Sequence, residues 1–120
     1  MSKAEFWQRG ESIDYTNSGN TKIEENEVVV LGSRVGIAGT VIPAGETGSL
    51  VMTGVFEMDK KDDTAISAGT AVYWNPDSAA PGITASADDG ETDPTAYPYV
   101  GYATEAAAAD DTTIKVKLLG

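Results

Sequence analysis

The densest group of side chains able to bind a metal lies in residues 88–93, DDGETD, with three aspartates and one glutamate in six positions. Calcium prefers several carboxylate and carbonyl oxygens, so this segment is a candidate calcium site. Its spacing differs from that of an EF-hand loop, in which acidic ligands alternate before the glycine. The pattern therefore favours a solvated loop, and we expect no metal and no cofactor.

The side chains that most hydrolases use are missing. The chain has no cysteine and no histidine, which excludes thiolate nucleophiles, cysteine-ligated zinc and a histidine general base. Two carboxylates can cleave a glycosidic bond across a cleft, but the 19 acidic residues offer no pair distinguished by its spacing. A phosphate-binding P-loop ends in Gly-Lys-Ser/Thr, and the chain has no Gly-Lys dipeptide. The sequence thus predicts a protein that is not an enzyme.

Aromatic side chains are the strongest candidates for binding. Phe6 and Trp7 stand in a polar N-terminal segment, and aromatics in such a setting often anchor a partner. The alternative is that they pack back on their own domain. Tyr73 and Trp74 offer a platform for a sugar, but the run Val-Tyr-Trp within a strand is more typical of a core or a subunit interface.

Charge and hydropathy exclude two classes of partner. The formal net charge is −11 and the eight basic residues are scattered, whereas nucleic-acid binding needs clustered Lys and Arg to contact phosphates. No apolar run approaches the roughly 20 residues that span a bilayer. The N-terminal sequence has no apolar stretch of signal-peptide length, so synthesis in a cytoplasm is expected.

The elements that must position these residues are strands. Residues 27–56 combine valines, glycines and a Pro-Ala-Gly turn, which is typical of short strands joined by tight bends. The only helical composition, EAAAA at residues 105–109, permits one turn or a bend between strands. We predict an all-β single domain in which residues 1–20 form an N-terminal arm or edge strand and residues 21–120 form the β domain. Within it, residues 75–98 hold four of the five prolines and are predicted to be irregular.

Alternation predicts which faces are buried. Ile114, Val116 and Leu118 alternate with lysines, which indicates one buried face and one wet face. Residues 50–58 have apolar side chains on both faces of a predicted strand, so a second subunit is expected to cover one of them. The candidate subunit-interface residues are Val51, Val55 and Tyr73.

A short internal echo is visible at Ile42-Pro43-Ala44-Gly45 and Ile66-Ser67-Ala68-Gly69. In the first copy, we predict a type I turn with proline at its second position and glycine at its fourth. Two matches of four residues are too few to define a repeat.

Five segments of the chain resemble, in the same order, a family of small tailed-phage proteins. They are FWQRGESIDYT, NEVVVLGSRVGIA, IPAGETGSLVMTGVFEM, ISAGTAVYW and VGYATEAAAADDTTIKVKLL. That family was long catalogued as a domain of unknown function and is now understood as capsid decoration, or cement, proteins. Some members carry the label of a RecA/RadA-like recombinase, which the acidic charge and the absent phosphate loop contradict here.

The resemblance implies a small β-barrel or β-sandwich that trimerises at three-fold positions on the outer face of a phage head. The implied partners are the major capsid protein and two further copies of the chain, and the implied location is the virion. We infer that Phe6, Trp7, Arg9 and Tyr15 contact the capsid. The alternative is an exposed virion module that binds a host-surface carbohydrate through Tyr73, Trp74 or residues 75–98.

Overall fold

The computed structural model describes residues 3–120, in which it contains nine strands and no helix that is long and apolar enough to cross a membrane. All nine strands belong to one open mixed sheet, so the predicted all-β single domain is confirmed. Residues 105–109 form a bend between two strands. The strands are β1 (Ser12–Thr16), β2 (Val28–Leu31), β3 (Arg34–Ala38), β4 (Thr47–Val51), β5 (Gly54–Asp59), β6 (Ala71–Asn75), β7 (Gly82–Thr84), β8 (Tyr99–Ala103) and β9 (Thr113–Leu118).

The sheet contains the same four-stranded unit twice. In the first unit, β1 pairs with β4, β4 with β3, and β3 with β2, all antiparallel. In the second unit, β5 pairs with β9, β9 with β8, and β8 with β6, again antiparallel. The strands β1, β2, β3 and β4 therefore correspond to β5, β6, β8 and β9, and β7 has no counterpart in the part of the chain that the structure describes.

The two units also agree at the level of residues. Ala38 lies opposite Leu50 in the first unit, and Ala103 lies opposite Val116 in the second. Strand β3 reads RVGIA and β8 reads YVGYA, so valine, glycine and alanine recur 65 positions later. The units meet where these two strands begin, through a parallel pairing of the equivalent residues at positions 34 and 99.

Each unit contains two segments with the same order of features. A residue that forms an isolated β-bridge comes first, a turn follows it, and a strand comes last. The bridging residues pair within a unit, Ile23 with Ile42 and Ile66 with Ala107. The sequence echo at Ile42 and Ile66 marks two of these four segments. Because the other two have different turn residues, the sequence pattern alone revealed only half of the repeat.

The turn after Ile42 is not the type I turn that the sequence predicted. The Glu46 amide donates to the Pro43 carbonyl at 3.1 Å, which makes Pro43 the first residue of the turn and Gly45 the third. Gly45 has a φ of +80°, as the third residue of a type II turn requires. The prediction was wrong because it assigned the glycine to the closing position, where no positive φ is needed.

Residues 50–58 are two strands, not one as predicted. The break falls at Met52 and Thr53, followed by Gly54 with a φ of +121°, a conformation that few side chains allow. The chain leaves the first unit and enters the second at this point. The predicted alternation of Ile114, Val116 and Leu118 with two lysines is confirmed, since all three apolar side chains are buried.

Two apolar clusters hold the domain together. The larger lies mainly in the second unit but includes Val35 and Ile37 from β3, so the two units share a core. The smaller lies in the first unit and consists of Val29, Ala38, Ile42, Leu50 and Met52.

Candidate binding surfaces

The N-terminal arm presents two large apolar side chains to solvent. Residues 5–11 precede β1 and lie outside the strands; residues 1 and 2 of the predicted arm lie outside the described residues. Phe6 and Trp7 are 86% and 89% exposed. Arg9 is also exposed and pairs with Glu11, its Nε lying 3.4 Å from a carboxylate oxygen.

Tyr15 occupies a different environment from the other three predicted contact residues. It lies in β1, opposite Gly48 of β4, and packs partly buried against the smaller apolar cluster. The structure therefore groups Phe6, Trp7 and Arg9 on the arm and places Tyr15 in the sheet.

The second unit has an outward sheet face that carries two of the three predicted subunit-interface residues. The paired residues Val55, Lys117, Tyr102 and Ala71 form one row across β5, β9, β8 and β6. Val55 is among the exposed large apolar side chains. Since side chains alternate along a strand, Tyr73 lies on the same face as Ala71.

Tyr73 is held by aromatic contacts at the edge of this face. Its ring meets that of Tyr99 edge-on, with centroids 5.6 Å apart. The Arg34 guanidinium of the first unit lies 5.9 Å from the Tyr99 ring centroid, within the range of a cation–π contact. Val51, the third predicted interface residue, is partly buried in β4 and packs against the larger cluster.

Trp74 is not available as a sugar platform, because it is buried in the larger cluster opposite Ile83 of β7. A cavity of about 450 Å³ lies beside it. The acidic residues of that cavity, Glu57 and Asp59, are both exposed on β5. The residues lining the cavity are Asn26, Val28, Ile37, Phe56, Glu57, Met58, Asp59 and Trp74.

The acidic loop at residues 88–93 uses its carboxylates to hold its own backbone. Asp88 Oδ1 accepts from the Gly90 amide at 2.9 Å, and Asp89 Oδ1 accepts from the amides of Glu91 and Thr95 at 3.1 and 3.2 Å. Within residues 3–120, no three or more acidic, histidine or cysteine side chains are grouped as metal ligands would be.

A third aspartate, Asp77, has a local role of the same kind. The Ala79 amide donates to Asp77 at 3.1 Å, and Lys61 Nζ lies 3.1 Å from its other oxygen. The backbone hydrogen bond from Ala79 is the larger cause and Lys61 the smaller one. Together they hold the pKa of Asp77 below its usual value of 3.8. Their effect is to fasten the segment before β7 to the end of β5.

A family model described as phage cement protein matches residues 7–118 of the chain. The chain belongs to the phage cement protein family. The resemblance seen in its five sequence segments is thereby confirmed, and the match extends through residues 75–98, which the segments did not cover. Searches of curated proteins and of solved structures returned no match.

Membership in the phage cement family makes the chain a structural protein of the virion with a capsid-decoration role. The arrangement of its surfaces suits contact with other proteins. The most exposed apolar side chains stand on an arm, and the second unit offers a broad outward sheet face.

Sequence reasoning missed one surface of this cement protein, the outer edge of β2. Two features of the sequence could have revealed it. Val-Gly-x-Ala recurs in β3 and β8, and the connections that lead into these two strands differ in length. Two residues precede β3 in its hairpin, whereas 23 residues separate β6 from β8.

Proposed function

We propose that this cement protein binds the outer surface of a phage head as a homotrimer and holds neighbouring copies of the major capsid protein together. It does so without catalysis, without a cofactor and without contacting nucleic acid or a membrane, and it is made in the host cytoplasm. The family match supports the capsid as the partner. The observation that carries the mode of attachment is the exposed pair Phe6 and Trp7 on an arm outside the sheet.

The arm contacts the capsid through Phe6, Trp7 and Arg9, and Tyr15 adds a contact from β1, the strand that follows the arm. Burying one large apolar side chain contributes about 1.5–3 kcal/mol, so two of them supply a modest attachment per chain. Three arms on one trimer multiply that attachment, because the second and third bind at a high effective concentration. Val51, Val55 and Tyr73 form the contacts between the three chains.

Removal of the arm tests this mode of attachment. The deletion must spare Glu11, whose carbonyl accepts from the Met52 amide at 2.9 Å, and β1, which starts at Ser12. We expect a chain lacking residues 3–10 to keep its circular dichroism spectrum and to bind cement-free heads at least about tenfold more weakly, the effect of about 1.4 kcal/mol.

Two point variants sharpen the test. Trp7→Ala should reproduce most of the loss, while the matched control Gln8→Ala, a polar exposed neighbour on the same arm, should bind as the wild type does. Equal binding by the arm-deleted chain and the wild type would refute the role of the arm.

A further inference from the structure

Strand β2 is an open edge of the sheet. Among the described residues it pairs with β3 alone. The Ala38 amide donates to the Glu27 carbonyl at 3.0 Å. Because successive residues of an antiparallel strand alternately bond to the partner and point away from it, this bond assigns every residue of β2. The backbone groups of Val29 and Leu31 therefore point toward β3, and those of Val28 and Val30 point away from the sheet.

The second unit covers the corresponding edge. Its strand β6, the counterpart of β2, is flanked on that side by β7, with Tyr73 opposite Thr84 and Trp74 opposite Ile83. Residue Ile83 is fully buried, and β7 reaches the end of β5 through a bridge to Lys60. In the first unit, Gly32 and Ser33 directly join β2 to β3, so residues 3–120 supply no such strand there.

The missing strand leaves apolar surface uncovered in the first unit. Leu31 is 38% exposed, whereas Trp74, which follows Val72 by two residues as Leu31 follows Val29, is 9% exposed. Val29 is 7% exposed, whereas its counterpart Val72 is 0% exposed. In both comparisons the side chain of the first unit is the more exposed one. This is expected if an added strand covers the first unit as β7 covers the second.

We infer that the outer edge of β2 accepts an extended segment of the capsid protein, paired antiparallel as β7 is paired to β6. This inference rests on the proposed function for its partner and adds a second contact to that of the arm. Main-chain bonds to Val28 and Val30 hold the segment in register. By analogy with Ile83, the segment places a β-branched apolar side chain opposite Leu31.

Charge defines the segment further. The turn before β2 contains Glu24, Glu25 and Glu27. Among residues 3–120, a cation lies beside Glu24 alone, Lys22 at 3.2 Å. An antiparallel segment brings its C-terminal end to this turn. Its complement is therefore a Lys or Arg just after the strand.

The capsid protein fits this description better than a second copy of the chain does. The N-terminal arm carries bulky Phe6 and Trp7 where the template has Gly-Ile-Thr, so the arm of a second copy does not resemble β7. The net charge of −11 also opposes contact between the acidic turn of one copy and the surface of another.

A proline at Val30 tests the edge without breaking the sheet. Because the Val30 amide points away from β3, Val30→Pro removes no bond of the β2–β3 ladder and blocks only an added strand. We expect this variant to bind cement-free heads about tenfold or more weakly than the wild type. The control Val30→Thr keeps the amide and the β-branched shape, so it should bind normally.

Hydrogen exchange on the wild-type protein gives a second readout that needs no variant. On binding to heads, the amides of Val28 and Val30 should become protected, while those of Val29 and Leu31, already bonded to β3, should change little. Protection of Val28 and Val30 in the purified protein before heads are added would assign the edge to a second copy and overturn the inference.

The outcomes separate this inference from the proposed function. Normal head binding by Val30→Pro, or unprotected amides at positions 28 and 30 in bound protein, overturns the β2 contact alone. Failure of the wild type to bind cement-free heads overturns the proposed function itself.

Discussion

Single residues show how two units with little sequence in common keep the same backbone. A Cβ added to Gly48 would lie 2.5 Å from Ile42 Cγ1, so the glycine makes room for that isoleucine. The equivalent positions in the second unit hold Ala107 and Ile114. The large and small side chains have changed places, and each unit fills its space with one bulky residue.

This exchange predicts a coupled pair of substitutions. Gly48→Ile should lower the free energy of unfolding by about 1–3 kcal/mol through overpacking. Ile42→Ala should lower it by about 2–5 kcal/mol through a cavity. The double variant should cost clearly less than the sum, because the new isoleucine fills the cavity.

Urea denaturation of the single and double variants measures this coupling. The control pair combines Gly48→Ile with Ile66→Ala, which lies in the other cluster, and its costs should add. Additive costs for Gly48 and Ile42 would show that the two sites do not share one space.

At the scale of elements, each unit closes its first strand with a buried polar side chain. Asn17 follows β1, and its Nδ2 donates to the carbonyls of Thr21 at 2.8 Å and Ile42 at 3.0 Å. Lys60 follows β5, and its Nζ donates to the carbonyls of Asp62 at 2.6 Å and Ala109 at 3.4 Å. Different side chains thus satisfy backbone carbonyls of the turns that face the end of the strand.

Removal of the Asn17 amide should loosen this closure. We expect Asn17→Ala to lower the free energy of unfolding by about 1–3 kcal/mol, since two donors to backbone carbonyls are lost from a buried site. Thr16→Ala is the matched control, because its hydroxyl bond to Thr47 is exposed and should contribute little. Denaturant titrations that give equal costs for the two variants would contradict the role of Asn17.

At the scale of the whole molecule, the outward face of the second unit is the surface proposed for trimer contacts. Val55 is exposed on this face, and burying a carboxylate in place of its apolar contact is unfavourable even opposite Lys117, because an ion pair recovers only part of the desolvation cost. We therefore expect Val55→Asp to shift the protein from trimer to monomer in light scattering while its fold is kept.

The control for this variant is Val41→Asp, which adds the same charge at an exposed valine outside the strands. It should leave the trimer intact. A wild-type protein that stays monomeric at high concentration, both free and on heads, would refute the trimer, and a trimer of Val55→Asp would move the interface elsewhere.

The amino-acid sequence by itself determined the all-β class, the family and the buried face of the last strand. These follow from local patterns, because β-branched residues, glycines and alternation act over a few neighbouring positions. It also identified Phe6 and Trp7 as candidate contact residues, since aromatic side chains in a polar segment stand out without any knowledge of the fold.

Only the tertiary structure decided that the chain is built from two equivalent units and that one of them lacks a covering strand. The equivalence rests on pairings such as that of Arg34 with Tyr99, which join residues far apart in the chain and leave few marks in the local sequence. The open edge of β2 has the same origin. Its valines predict a strand, but whether a neighbour lies beside that strand depends on where the rest of the chain folds, and long-range packing settles that.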